Sequence, residues 1–178
     1  RPDGEERSCE LHLGDNPFFT DRNPRKASNY VWASGFRNPF GLAVARDRLF
    51  AADNGPSVDR FVEVNRGESY LYDGSDWSIG SKAAVTFAPA VSPVTLAPYP
   101  ASSELFPVPF RDRFFVALSG SPTGRPGPGR NGQKSIVMLK YDFEKAGMSS
   151  VPEHFLRYRG LGKQVLVSLA FGPDFALE

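Results

Sequence analysis

The sequence predicts an all-β protein built from propeller blades, and three observations carry that prediction. Gly and Pro, 17 and 16 residues of 178, punctuate the whole chain and do not cluster in one linker. Between them lie short runs of Val, Leu, Phe and Tyr bounded by turn formers, the pattern of strands and not of helices. A unit of strand, turn and second strand led by a charged residue then recurs along the chain, at spacings close to those of propeller blades with insertions.

Taken in order, the expected strands are Leu42–Ala45, Leu49–Ala52, Phe61–Val64, Val91–Ala97, Phe114–Leu118, Ser135–Tyr141 and Val165–Phe171. The best helical stretch, Phe143–Gly147, is short. The first repeat reads Pro39-Phe40-Gly41-Leu42-Ala43-Val44 and then Asp47-Arg48-Leu49-Phe50-Ala51-Ala52. The second reads Pro93-Val94-Thr95-Leu96-Ala97 and, after an insert, Arg111-Asp112-Arg113-Phe114-Phe115-Val116-Ala117. A third opens at Val167-Ser168-Leu169-Ala170-Phe171. With four antiparallel strands to a blade, this is about two full blades plus parts of their neighbours. A β-sandwich also shows short strands at regular spacing, but the insert-bearing repeats favour the propeller.

Composition narrows the function. A net charge of +1 with scattered basic residues gives no bulk attraction for nucleic acid or an anionic membrane. No run approaches the roughly 18 apolar residues of a membrane span. The lone Cys9 has no partner for an internal disulfide or a thiolate zinc site. His12 and His154 are not in a metal-ligand spacing. The chain opens at Arg1 and stops at Glu178 inside what reads as a new strand. Residues 1–178 are therefore expected to be part of a single propeller domain, truncated at both ends.

Three segments could carry chemistry. In Gly35-Phe36-Arg37-Asn38-Pro39-Phe40-Gly41-Leu42, an arginine and an amide stand just before the inner strand of a blade. Arg37 offers a rigid fork of donors for carboxylate or quinone oxygens, or the pair caps a turn by bonding carbonyls. Asp53-Asn54-Gly55-Pro56-Ser57-Val58-Asp59 is a strong turn whose carbonyl and side-chain oxygens are hard ligands of the kind calcium takes, without the acid pattern of an EF-hand. Ser119–Lys134 is a long Gly/Pro loop with Arg125, Arg130 and Lys134, and such loops on rigid scaffolds often carry function. A Gly-x-Ser-x-Gly elbow, paired cysteines and a glycosidase acid pair are all missing from the sequence.

The two segments Gly35–Ala43 and Leu49–Pro56 together resemble the glucose/sorbosone dehydrogenase family. Arg1-Pro2-Asp3-Gly4 and Asp15-Asn16-Pro17-Phe18-Phe19 resemble the family's stretch before that motif, and Gly67-Glu68-Ser69-Tyr70 the stretch after it. The resemblance implies a six-bladed propeller using pyrroloquinoline quinone (PQQ) and Ca²⁺ to oxidise a sugar. It implies that Arg37, Asn38 and Asn54 contact PQQ; Ser121 or Arg125 falls near the family's basic residue after the strand Phe114–Leu118, and Arg125 is the candidate cofactor contact there. It implies that the Gly55 and Pro56 carbonyls ligate the calcium, and that the general-base histidine lies upstream of this region. An aldose substrate, an unspecified electron acceptor and export to the periplasm or the cell exterior follow from the same resemblance. With the base and at least half of the ring outside it, the segment alone is expected to be inactive. Two other readings stand beside this one. A non-catalytic extracellular propeller could bind a ligand or a protein. A calcium lactonase would find only Asn54 and Asp59 as plausible ligands here.

Overall fold

A computed structural model describes residues 16–20, 23, 25–99, 106–120, 134–159 and 165–172. Two four-stranded antiparallel sheets make up most of it, each a meander with its strands in sequence order. The first contains β1 (Pro39–Ala45), β2 (Arg48–Asp53), β3 (Asp59–Val64) and β4 (Val85–Phe87). The second contains β5 (Pro93–Tyr99), β6 (Arg113–Leu118), β7 (Ser135–Leu139) and β10 (Glu153–Arg157). A small hairpin of β8 (Tyr141–Asp142) and β9 (Gly147–Met148) is inserted before β10. These are two blades of a β-propeller, with inner strands β1 and β5 side by side.

The β1–β2 hairpin follows from its turn. Arg46 and Asp47 both have positive φ, 48° and 60°, the backbone that a two-residue turn needs to match strand twist. Alternation then does the rest. Ala43, Ala45, Phe50, Ala52 and Phe61 face the second sheet, where Leu96, Phe114, Val116, Val137 and Leu139 receive them. Rings of Phe50, Phe61, Phe114 and Tyr141 interlock there, with Phe50 and Phe114 centroids 4.7 Å apart. The far face of the second sheet builds another core, in which Tyr99, Phe106, Phe115 and Phe171 pack together. The two blades are regular enough for their faces to be compared. Leu96 is 4% exposed at the junction, while its counterpart Leu42 is 62% exposed with Phe40 and Val44 beside it.

Two expectations change. Of the expected helical stretch Phe143–Gly147, residues 143–146 form the turn between β8 and β9 and Gly147 opens β9, because Asp142 accepts the Glu144 and Lys145 N–H groups and closes the chain there. The α-helix is instead α1 (Asp76–Gly80), started by the Ser75 hydroxyl accepting the Ser78 N–H at 3.2 Å. Val165–Phe171 forms no ladder among the described residues. It is held by the Thr95 and Ser119 hydroxyls donating to Val167 and Leu166 carbonyls, with Leu169 buried. No helix among the described residues is long and apolar enough to cross a membrane.

Candidate cofactor and metal site

The site is built where β1 begins and β2 ends. Pro39 pairs with Asp53, so the residues just before β1 meet those just after β2. The Asn54 N–H donates to the Asn38 carbonyl at 3.0 Å, extending the ladder one residue beyond the strands. Arg37 Nη1 donates to the Asn54 carbonyl at 2.8 Å. Thus the structure brings Arg37, Asn38, Asn54, Gly55 and Pro56 together at one end of the first blade. Arg37 and Asn38 are exposed, Asn54 and Gly55 buried, and Pro56 exposed. The Arg37 guanidinium bonds a loop carbonyl, as a turn cap would, and stays open to solvent as well. Arg125 lies outside the described residues, as do Cys9 and His12.

Beneath this cluster lies a buried ion pair that sequence reasoning did not single out. Asp53 and Arg60 side chains are both fully buried, with Arg60 Nη2 and Nε donating to Asp53 Oδ2 at 2.8 and 3.0 Å. The other carboxylate oxygen, Oδ1, accepts the N–H groups of Arg37 at 3.1 Å and Asn38 at 2.6 Å. Arg60 spends its remaining donors on the carbonyls of Tyr70, Ser81, Ser78 and Gly35. A buried charge is tolerated only when paired and saturated in this way. Consequently the backbone at Arg37 and Asn38 is set by a rigid internal anchor.

The approach to Arg37 is fixed on its other side as well. Ser34 and Ser69 form a parallel bridge, and the Tyr70 and Tyr72 N–H groups donate to the Ser34 and Gly35 carbonyls. At Gly35, φ is +77° and a Cβ would lie 2.6 Å from the Leu71 nitrogen, so only glycine fits.

Asp59, the first residue of β3, shapes the loop from below. It is fully buried, and burial pushes its carboxyl above the usual range. Three N–H donors and the nearby Arg37 charge oppose that shift. Oδ1 accepts the Gly55 N–H at 2.9 Å, and Oδ2 accepts those of Val91 and Ser92 at 2.6 and 2.7 Å. Both oxygens are therefore engaged inside the protein, which leaves the lactonase reading without its carboxylate ligand. Farther out, Asp76 of α1 accepts the Ser57 N–H at 3.2 Å. A Cβ at Gly55 would stand 1.9 Å from the Val58 carbonyl oxygen, so the tight loop demands glycine.

What the loop can bind follows from its oxygens. Asn54 Oδ1 is buried and has no hydrogen-bond partner. No backbone N–H among the described residues donates to the Gly55 or Pro56 carbonyl. No group of three or more His, Cys, Asp or Glu among the described residues could hold a metal. A cation here would rest on neutral oxygens, which suits a hard ion such as calcium and not zinc. With Arg37 alongside, an anionic ligand between guanidinium and cation would be needed to offset their repulsion. His154, by contrast, is exposed on β10, the strand farthest from inner strand β5.

Comparisons with known proteins agree with the fold. Nine solved chains match the structure. One is a glucose dehydrogenase, with TM-score 0.65, 20% identity, and coverage of 92% of this chain and 45% of that one. Another is described as an oxidoreductase (glucose dehydrogenase) from Thermus thermophilus, with TM-score 0.62, 23% identity, and coverage of 92% and 43%. The chain thus has the glucose/sorbosone dehydrogenase-like propeller fold. It spans somewhat under half the length of these structures. No family model and no curated protein matches the sequence.

Proposed function

We propose that this chain supplies the cofactor-facing wall of a PQQ- and calcium-dependent sugar dehydrogenase-like propeller. One observation carries the reading: the Arg37 guanidinium, the buried unpartnered Asn54 Oδ1 and the Gly55–Pro56 carbonyls share one end of one blade. The residues fit the implied groups. Gly55 and Pro56 carbonyls would hold Ca²⁺. Arg37, Asn38 and Asn54 would meet the carboxylate and quinone oxygens of PQQ, with Arg125 as a further contact. When bound, the quinone and its calcium would supply the acceptor for a hydride from a sugar hydroxyl.

The chain's own contribution is positional. Asp53 and Arg60 hold the backbone that aims Arg37 and Asn38, and Asp59 holds the loop that presents the carbonyls. Preorganisation of this kind is what lets a few polar groups fix a cofactor's orientation. An exported, aldose-oxidising parent protein belongs to the same proposal. The test is a PQQ titration followed by absorbance, with Ca²⁺ and with a chelator, on the complete protein. Arg37→Ala should weaken PQQ binding by at least about tenfold, or about 1.4 kcal/mol. Equal affinity in the variant would reject the cofactor reading and leave the non-catalytic binding propeller.

A further inference from the structure

We propose that Asp59 is a positioning residue that couples the carbonyl loop to the junction between the two blades, so that a cation bound at the loop tightens that junction. The inference rests on the calcium reading of residues 55 and 56 and goes beyond it. Gly55 receives its orientation from both directions. Its N–H donates to Asp59 Oδ1 at 2.9 Å, while the carbonyl of the same peptide unit, on Asn54, accepts Arg37 Nη1 at 2.8 Å. A peptide plane held at both ends is fixed, and it anchors the start of the turn that carries the next two carbonyls.

The other oxygen of Asp59 reaches into the connection between the blades. It accepts Val91 and Ser92 N–H groups at 2.6 and 2.7 Å, just before β5. Ser92 sits there at φ +53°, a backbone that an ordinary side chain adopts only when its surroundings impose it. The Val91 and Ser92 carbonyls accept in turn from Gly120 and Ser119, at the end of β6. The Ser57 carbonyl accepts the Ala90 N–H at 2.7 Å, a second tie between the same two segments. One carboxylate thus links the candidate metal loop, the blade connection and the end of the second blade's β6. Three hydrogen bonds to this one carboxyl, with the Ser57–Ala90 bond beside them, make the link stiff. Coupling between two sites is reciprocal: if an ordered junction favours cation binding, a bound cation must order the junction by the same free energy.

The experiment uses Ca²⁺ alone as the probe, on the complete protein. Calorimetric titration gives the affinity, and hydrogen exchange gives the opening of the Val91 and Ser92 amides with and without Ca²⁺. Loss of a group that orients a metal ligand typically weakens metal binding about ten- to hundred-fold, and Asp59→Asn should fall in that range. In the unaltered protein Ca²⁺ should slow exchange at Val91 and Ser92, and in Asp59→Asn the slowing should vanish. Should Asp59→Asn fail to fold, exchange in the unaltered protein decides alone. Calcium binding without any slowing at Val91 and Ser92, or an unchanged affinity in Asp59→Asn, overturns the coupling while the metal reading stands. A protein that takes up no Ca²⁺ overturns the metal reading, and the coupling with it.

Discussion

Asp53 and Arg60 bear more of the site's geometry than the residues expected to touch a ligand. Replacing Asp53 with Asn leaves a fully buried guanidinium without its counter-charge and loosens the N–H groups of Arg37 and Asn38. Breaking one side of such a pair costs about 3–5 kcal/mol, and denaturant unfolding of Asp53→Asn should show a loss of that size. Asn54 behaves in the opposite sense. Its orphaned oxygen is a standing cost of about 1–3 kcal/mol. Asn54→Leu should therefore leave thermal stability unchanged or raised while PQQ affinity drops; a matched loss of both would deny Asn54 a ligand role. The sequence made Arg37, Asn38 and the Asn54–Pro56 turn legible, because Pro and Gly mark where strands stop and polar groups follow. Asp53, Asp59 and Arg60 were harder to see. Asp53 and Asp59 read as ordinary turn acids, and nothing local says that Arg60, leading into Phe61 and Val62, turns inward to meet a strand seven residues earlier.

At the level of elements, hairpin chemistry was readable and the edges were not. β4 is three residues long and β10 carries Glu153, His154 and Arg157, so neither shows the apolar alternation that betrayed β2, β3 and β6. Charged, short outer strands are how sheets protect their edges, and that protection hides them from pattern reading. The Arg46-Asp47 turn leaves room for improvement. Asp47→Gly removes a left-handed side-chain penalty of about 1–2 kcal/mol, less the extra freedom of glycine when unfolded, so a modest rise in melting temperature is expected. The return from β3 is pinned by Tyr70, whose hydroxyl donates to the Glu63 carbonyl and accepts the Asn65 N–H. Burial, mainly, pushes its pKa up to about 12 from 10.0. An acid whose folded pKa exceeds its unfolded one contributes stability that is fully present below the lower value and disappears through the higher. Alkaline unfolding should thus set in between pH 10 and about 12, and Tyr70→Phe should reduce its steepness, followed by circular dichroism alongside phenolate absorbance. Tyr141, also raised by burial and by its bond to Glu63, adds to the same transition.

Across the whole molecule, the two blades cohere through an aromatic junction, with polar ties such as Asp59 to Val91 and Ser92 and Arg46 to Asp112 at its margins. Phe114 touches Phe50 and Phe61 across it. Phe114→Ala should cost about 3–5 kcal/mol, and the loss should appear as one cooperative shift if the blades unfold together. The repeat visible in the sequence, with Leu42 matching Leu96, is this junction seen twice: buried in the second blade and open in the first. A propeller buries that face between consecutive blades. Diffraction from crystals of the protein grown with PQQ and Ca²⁺ tests most directly whether the Gly55–Pro56 loop and Arg37 hold the metal and the quinone. An anomalous peak is expected about 2.3–2.6 Å from the carbonyl oxygens of Gly55 and Pro56, with the quinone against Arg37 and Asn38. A cation or a quinone bound elsewhere, with this loop unchanged and empty, would contradict that placement.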